Sequence, residues 1–224
     1  MIYQWIASLR VGTWLVISIA IMLLNGAVQA EVGESRGYLD VQYSVLKLDS
    51  ESFHLDLKPF IRVENRFRNS GLVYQQWNTG VRFRVFSWAS VAAYYTPREL
   101  FGTSNTFKNT VGADLVFHPT LGQFRLTDRL ANEWHITDKY YRFRNLSEVL
   151  YQTPVSWLSL FAYDEFRADG DQGRINMNNL GGGLQIDPKT TLTVRLFFDN
   201  EGNRRKLDKW QHLLFAGLSC AVHL

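Results

Sequence analysis

Cysteine is almost missing from this chain. Cys220 is the one thiol in 224 residues, so no intramolecular disulfide forms, and paired-thiol redox chemistry and cysteine-based zinc sites are excluded. Net charge is nearly missing as well, at +3. A nucleic-acid partner is therefore not expected, because its phosphates call for basic residues gathered on one surface. Lysine is scarce, 7 against 17 arginines. Beyond residue 30 there is no uninterrupted apolar run long enough for a membrane-spanning helix.

Within residues 1–30, Arg10 precedes an apolar run from Val11 to Leu24, and small residues surround Ala27 and Ala30. That order reads as a secretory signal peptide cleaved after Ala30. The run is shorter than the roughly 20 residues that span a bilayer as a helix. Residues 31–224 then form one domain of ordinary size. An exported chain without helical spans can cross a membrane only as a closed barrel, since lipid offers no partner to an unpaired backbone group.

The sequence HLDLKPFIRVENRFR, residues 54–68, alternates Leu55, Leu57, Ile61 and Val63 with Asp56, Lys58, Arg62, Glu64 and Arg66. A period of two marks a strand with one apolar and one polar face. Similar segments fall near 38–48, 53–66, 72–86, 88–96, 107–118, 122–135, 140–152, 156–167, 174–186, 190–198 and 210–224. Most reach the 9 to 11 residues with which a tilted strand crosses the hydrocarbon layer. Eleven segments are read; because single-chain bacterial barrels have even counts, twelve strands are expected, with ten as the alternative. Short turns alternate with mostly longer connections, which would be external, and Pro59 is expected to interrupt a ladder. The fold expected is an all-β, single antiparallel transmembrane β-barrel.

A soluble lipocalin-like barrel would show the same period with the opposite sense. The choice of charge decides between them, because arginine's planar fork suits enclosed, multiply bonded networks. Arg62, Glu64, Arg66, Arg82, Arg84, Asp114, Arg125, Arg129, Glu133, Arg142, Arg144, Glu148 and Arg195 are the expected lumen-lining residues, those of each strand sharing one parity. Aromatic residues gather toward segment ends, as in the girdles of membrane barrels. The closing LLFAGLSCAVHL places Leu214, Ala216, Leu218, Cys220, Val222 and Leu224 on one face.

At RVENR (62–66), FRLTDRL (124–130), YYRFRNL (140–146) and YDEF (163–166), the chain resembles a bacterial outer-membrane β-barrel family catalogued as a domain of unknown function. The resemblance implies a barrel in a Gram-negative outer membrane and brings no activity with it.

Candidate chemistry is thin. His135 with Glu133, His118 with Asp114, and His54 with Asp56 share strand faces, and Asp164 adjoins Glu165. No serine is brought to any of them, and His118 and His135 read as solvated turn residues. No catalytic, cofactor or metal residue is assigned. Gly181–Gly183 lies within a strand pattern, not between a strand and a helix, so it is no phosphate loop; it gives close backbone approach, a bulge, or room for bulky lumen arginines. The expected function is a narrow solute channel favouring small anions, or a non-catalytic structural barrel. A lipid-acting enzyme is the alternative, as is a surface-binding barrel meeting lipopolysaccharide through Arg68, Lys108, Arg174, Arg204, Arg205 and Lys206. Asp169, Asp171, Asp199, Glu201 and Asp208 are read as solvated charges among those loops.

Overall fold

Period-two alternation becomes an unbroken series of strands. The structure, a computed structural model, describes residues 34–49, 54–68, 71–102, 105–170, 174–189, 191–204 and 210–223. The expected signal peptide lies outside these residues. Among the described residues no helix is long and apolar enough to cross a membrane, which says nothing of crossing by strands.

The strands are β1 (Glu34–Gln42), β2 (Leu46–Asp49), β3 (His54–Arg68), β4 (Gly71–Phe86), β5 (Ala89–Leu100), β6 (Thr106–Phe117), β7 (Thr120–Leu121), β8 (Phe124–His135), β9 (Tyr140–Gln152), β10 (Leu158–Asp169), β11 (Arg174–Lys189), β12 (Leu192–Arg204) and β13 (Trp210–His223). Neighbours pair antiparallel around the sheet, and the ring closes because β1 pairs with both β3 and β13. Eleven strands form that ring; β2, flanking β3, brings the sheet path to twelve, and the two-residue β7 pairs with the start of β8.

An odd ring cannot alternate throughout, so one seam must be parallel. It lies between β1 and β13, from Glu34 opposite Phe215 to Gln42 opposite His223. The two strands therefore begin at one rim and end at the other. β1 and β2 act as one interrupted stave against β3. Across the gap, Tyr43 N–H donates to the Pro59 carbonyl at 3.2 Å and Val45 N–H to the Leu57 carbonyl at 3.0 Å. The interruption faces Pro59, which has no N–H to return.

One rim carries Trp88 and the other Lys139. The alternation of short turns and longer loops does not survive: connections run from two to six residues at the Trp88 rim and two to five at the Lys139 rim. Strands consume the difference. β11 and β12 continue to Lys189 and Arg204, through residues that read as loop because Asn, Asp and Gly dominate them.

The sheet's inner face needs large side chains. Eight strands leave an interior that side chains just fill, so an eleven-membered ring needs arginines and aromatics. Leu150, Phe161 and Phe197 form one inner cluster with Tyr38 and Tyr163 beside it, and Phe60, Ala92 and Tyr94 form another. Glycines opposite the rings make room. A Cβ on Gly181 would stand 2.4 Å from Tyr163 Cζ, and one on Gly112 2.5 Å from Tyr94 Cζ, each glycine being the direct cross-strand partner of its tyrosine. The glycine run thus accommodates an inner tyrosine and not, as one reading had it, an arginine.

Candidate functional site: the ion-paired interior

The buried carboxylates and their arginines face into the ring beside its aromatic clusters, and the large residues on the opposite face are mostly apolar. Asp40, Glu64, Asp114, Glu133, Glu148, Glu165, Asp169, Asp199 and Glu201 are all buried. Ile61, Phe83, Val91, Leu115, Leu160, Leu184, Leu196, Phe198 and Leu214 are exposed on the outside. An unpaired buried carboxylate would be very costly. Each of these finds donors, most of them on another strand.

Arg144 on β9 is the centre of one group. Its Nε and Nη2 donate to Glu165 Oε1 on β10 at 2.8 and 2.5 Å, and its Nη1 donates to Glu133 Oε1 on β8 at 2.7 Å. Arg167 adds two longer bonds to Glu165, at 3.3 and 3.2 Å. A second group surrounds Arg36, which donates to Asp199 at 3.1 Å and to Glu201 and lies 3.6 Å over the Phe215 ring. Tyr163 and Asn179 also donate to Asp199. Arg195 clamps Glu148 through two nitrogens at 2.7 and 3.0 Å and gives its Nε to Gln185 at 2.8 Å. Arg142 forms a fork on Asp169 at 2.5 and 3.0 Å. Arg66 donates to Glu64, Arg62 to Asp40 and Arg129 to Asp114.

Twelve of the thirteen residues expected at the lumen are thus buried or half-buried on the inner face; Arg125 has the same parity but is exposed at the Trp88 rim. Arg36, Asp40, Glu165, Arg167, Asp169, Asp199 and Glu201 were not singled out for the interior. Asp169, Asp199 and Glu201 correct the reading of loop charges: they are 6, 3 and 4 % exposed, because the strands that carry them run past the apolar stretch. Lys108, expected in an external loop, lies in β6 and pairs with Asp138 at 2.8 Å. The side chains of Arg174, Arg205, Lys206, Asp171, Asp208 and His54 lie outside the description.

His135 also departs from expectation. It is 1 % exposed, stacked 4.3 Å from the Tyr140 ring, with Nε2 3.3 Å from Glu133 Oε2. On its other side Nδ1 lies 3.1 Å from Thr110 Oγ1 and 3.0 Å from Arg98 Nη2. Hydroxyl, imidazole and carboxylate in line have the outline of a nucleophilic triad. The geometry does not favour catalysis. A guanidinium only donates, so Arg98 occupies the lone pair that would take the hydroxyl proton, and Thr110 is 3 % exposed. Asp164 and Glu165 fall on opposite faces, the first exposed and the second buried.

Thr110 and His135 border a polar cavity of about 50 Å³ with Arg66, Asn78, Thr96, Arg98 and Arg144. Asn78 Oδ1, Thr96 Oγ1 and Arg98 Nε are buried without a protein partner. A space of this size and polarity suits a few waters. Among the described residues no cluster of histidine, cysteine and carboxylates could hold a metal.

The outer face is mostly apolar; polar residues interrupt it near the Lys139 rim, as in the Asn65, Gln75 and Glu99 row, and also farther along the strands. Asp128, Ser147 and Asp164 occupy one cross-strand row on β8, β9 and β10. They are satisfied locally: Asn145 and Ser147 donate to Asp128 at 2.7 and 3.0 Å, and Asn178 donates to Asp164 at 3.1 Å. Aromatic pairs mark both rims, with Phe86, Trp88 and Phe117 stacked at one and Trp134 against Tyr141 at the other.

The arrangement defines a closed β-barrel with an inverted polarity, ion-paired within and apolar without. No family model matches the chain, and no curated protein matches it either.

Proposed function

We propose that this protein is a membrane-spanning barrel of a bacterial outer membrane, exported by its N-terminal segment and non-catalytic, whose interior is closed at rest. The observation that carries this reading is the inversion of polarity. A barrel dissolved in water would expose its arginines and bury Phe83, Leu196 and Phe198; here the reverse holds. Apart from the two-residue β7, the strands from β3 to β13 run 12 to 16 residues and exceed what the hydrocarbon layer needs, leaving both rims in the headgroup region. The family resemblance at 62–66, 124–130, 140–146 and 163–166 agrees with it.

Of the two roles expected from sequence, the filled interior favours the structural one over the channel. Arg144 joins the two strands beside its own, Arg195 on β12 reaches Glu148 on β9, Arg36 on β1 reaches past β13 to Asp199 on β12, and the aromatic clusters occupy further interior space. Refolded protein in planar bilayers is expected to be silent, while heat-modifiable migration on gels confirms the folded barrel. Discrete conductance steps from the unaltered chain would overturn the closed reading. Failure to insert into vesicles, with a monodisperse soluble species, would overturn the membrane reading.

A further inference from the structure

Charges near the Trp88 rim do not balance. Four carboxylates face inward there; Asp187 is met by Gln185 and Thr193, and the other three each have a base. Asp40 holds Arg62 at 2.9 Å, Asp56 holds Lys58 at 2.8 Å, and Asp114 holds Arg129 at 2.7 Å. Arg82, Arg84 and Arg125 remain. Arg82 reaches only the Gln42 amide oxygen, at 3.2 Å, and Arg84 the Ser87 carbonyl, at 2.6 Å. The Nε atoms of both are buried without a hydrogen-bond partner. Arg125, among the described residues, makes no ion pair and is exposed.

The fold brings these three together. Arg84 is registered with Ser90, Ser90 with Val116, and Val116 with Arg129; Arg125 is two inward positions before Arg129, beyond Thr127 and toward the rim. His118 follows β6 at the same rim, its N–H bonded to the Trp88 carbonyl at 2.7 Å. The side chains between them are small, Ser90 and Ala92 being inward residues at the Trp88 end of β5. Guanidinium groups met only by neutral acceptors, with Nε donors unspent, are suited to take an oxyanion.

We propose that Arg82, Arg84 and Arg125, with His118 beside them, bind a phosphate group at the inner mouth of the Trp88 rim. The phosphate is either free or borne on a lipid headgroup. The site is independent of whether the lumen conducts. His118 supplies a reporter, being half-buried and outside the strands. Burial, followed by the nearby Arg84, Arg125 and Arg82, pushes its pKa below the ordinary histidine value. An anion seated among those arginines would offset their charge and raise it.

The test titrates inorganic phosphate and, because it does not titrate near neutrality, sulfate into protein refolded in zwitterionic detergent. Calorimetry measures affinity and the His118 ring proton reports its titration. A parallel arm compares phosphatidylcholine vesicles with vesicles carrying a phosphomonoester lipid. Arg125→Gln, an exposed change, and Arg84→Gln are expected each to weaken binding about tenfold, as loss of one charge-assisted contact does. Lys108→Gln at the opposite rim is the control and leaves affinity unchanged. Saturable binding of free phosphate, with an upward His118 shift in sulfate, supports a soluble source. A His118 shift seen only in phosphomonoester vesicles supports a lipid source. Absence of both shifts in the unaltered protein, or equal affinity in Arg125→Gln, overturns the site.

Discussion

Replacing Arg144 by methionine tests whether the interior is as dry and interlocked as its geometry implies. The substitution keeps much of the stem and removes three donors, uncovering Glu133 and Glu165, which are 5 and 4 % exposed. Breaking a buried ion pair from one side costs about 3 to 5 kcal/mol. Glu165 keeps Arg167, and Glu133 keeps Tyr94 at 3.3 Å and His135. The expected loss is therefore at the low end, about 3 kcal/mol. With a urea slope of about 2 kcal/mol per molar, the unfolding midpoint in lipid vesicles should fall by about 1.5 M. Glu165→Gln in the same molecule should restore part of that loss, because one uncompensated charge goes with it, so the double-mutant cycle should show coupling. Lys108→Gln, at a partly exposed pair, should cost no more than about 1 kcal/mol. A loss below about 1 kcal/mol for Arg144→Met, strict additivity, or an effect abolished by molar salt would mean that water fills the lumen and screens the pairs, and the closed reading would fail.

The outer face gives two opposed expectations. Leu196→Arg should destabilise the barrel in bilayers by about 2 to 4 kcal/mol if it lies near mid-depth, whereas Asp164→Leu should stabilise it; unchanged unfolding midpoints in both would argue that this face meets water. The parallel seam predicts that Val41→Cys with Val222→Cys, in a Cys220→Ser background, oxidises to a disulfide, since the two residues are register partners on the outer face. An uncrosslinked product on gels would refute the closure. Gly181→Ala should cost about 1 to 3 kcal/mol by displacing the Tyr163 ring and its 3.0 Å bond to Asp199. Urea unfolding should show much of that cost disappearing when Tyr163→Ala is present, and a cost that persists would place the strain elsewhere.

Eleven segments, and the faces of the residues within them, were readable because side-chain direction in a strand depends only on parity. Arg62, Glu64 and Arg66 therefore fall inside without any knowledge of their partners. What parity cannot supply is register. Thr110 meets His135, and Gly181 meets Tyr163, because of pairings set by whole hairpins. The seam is harder still, joining residues 34–42 to 215–223 with no local turn to signal direction. Composition misled at strand ends. DNEGN, residues 199–203, has turn chemistry, yet it continues β12 because Asp199 and Glu201 meet Arg36 on the far side of the seam. A ladder extended by a distant base leaves no mark in its own sequence.

The excess of arginine over lysine finds its cause in the same geometry. Arg144 divides three nitrogens between carboxylates on two strands, and Arg195 divides three between Glu148 and Gln185. An ammonium is a compact point charge on a flexible stem and offers no such fork. In a ring too wide for aliphatic side chains to fill, each such inner arginine occupies volume, satisfies several acceptors and ties together the strands it joins. Lys108 falls where a single, partly solvated contact suffices, with Asp138. Arginine's distribution thus follows from how many acceptors each position must satisfy at once. The same reasoning makes Arg82, Arg84 and Arg125 stand out, since they have the fork without the carboxylate.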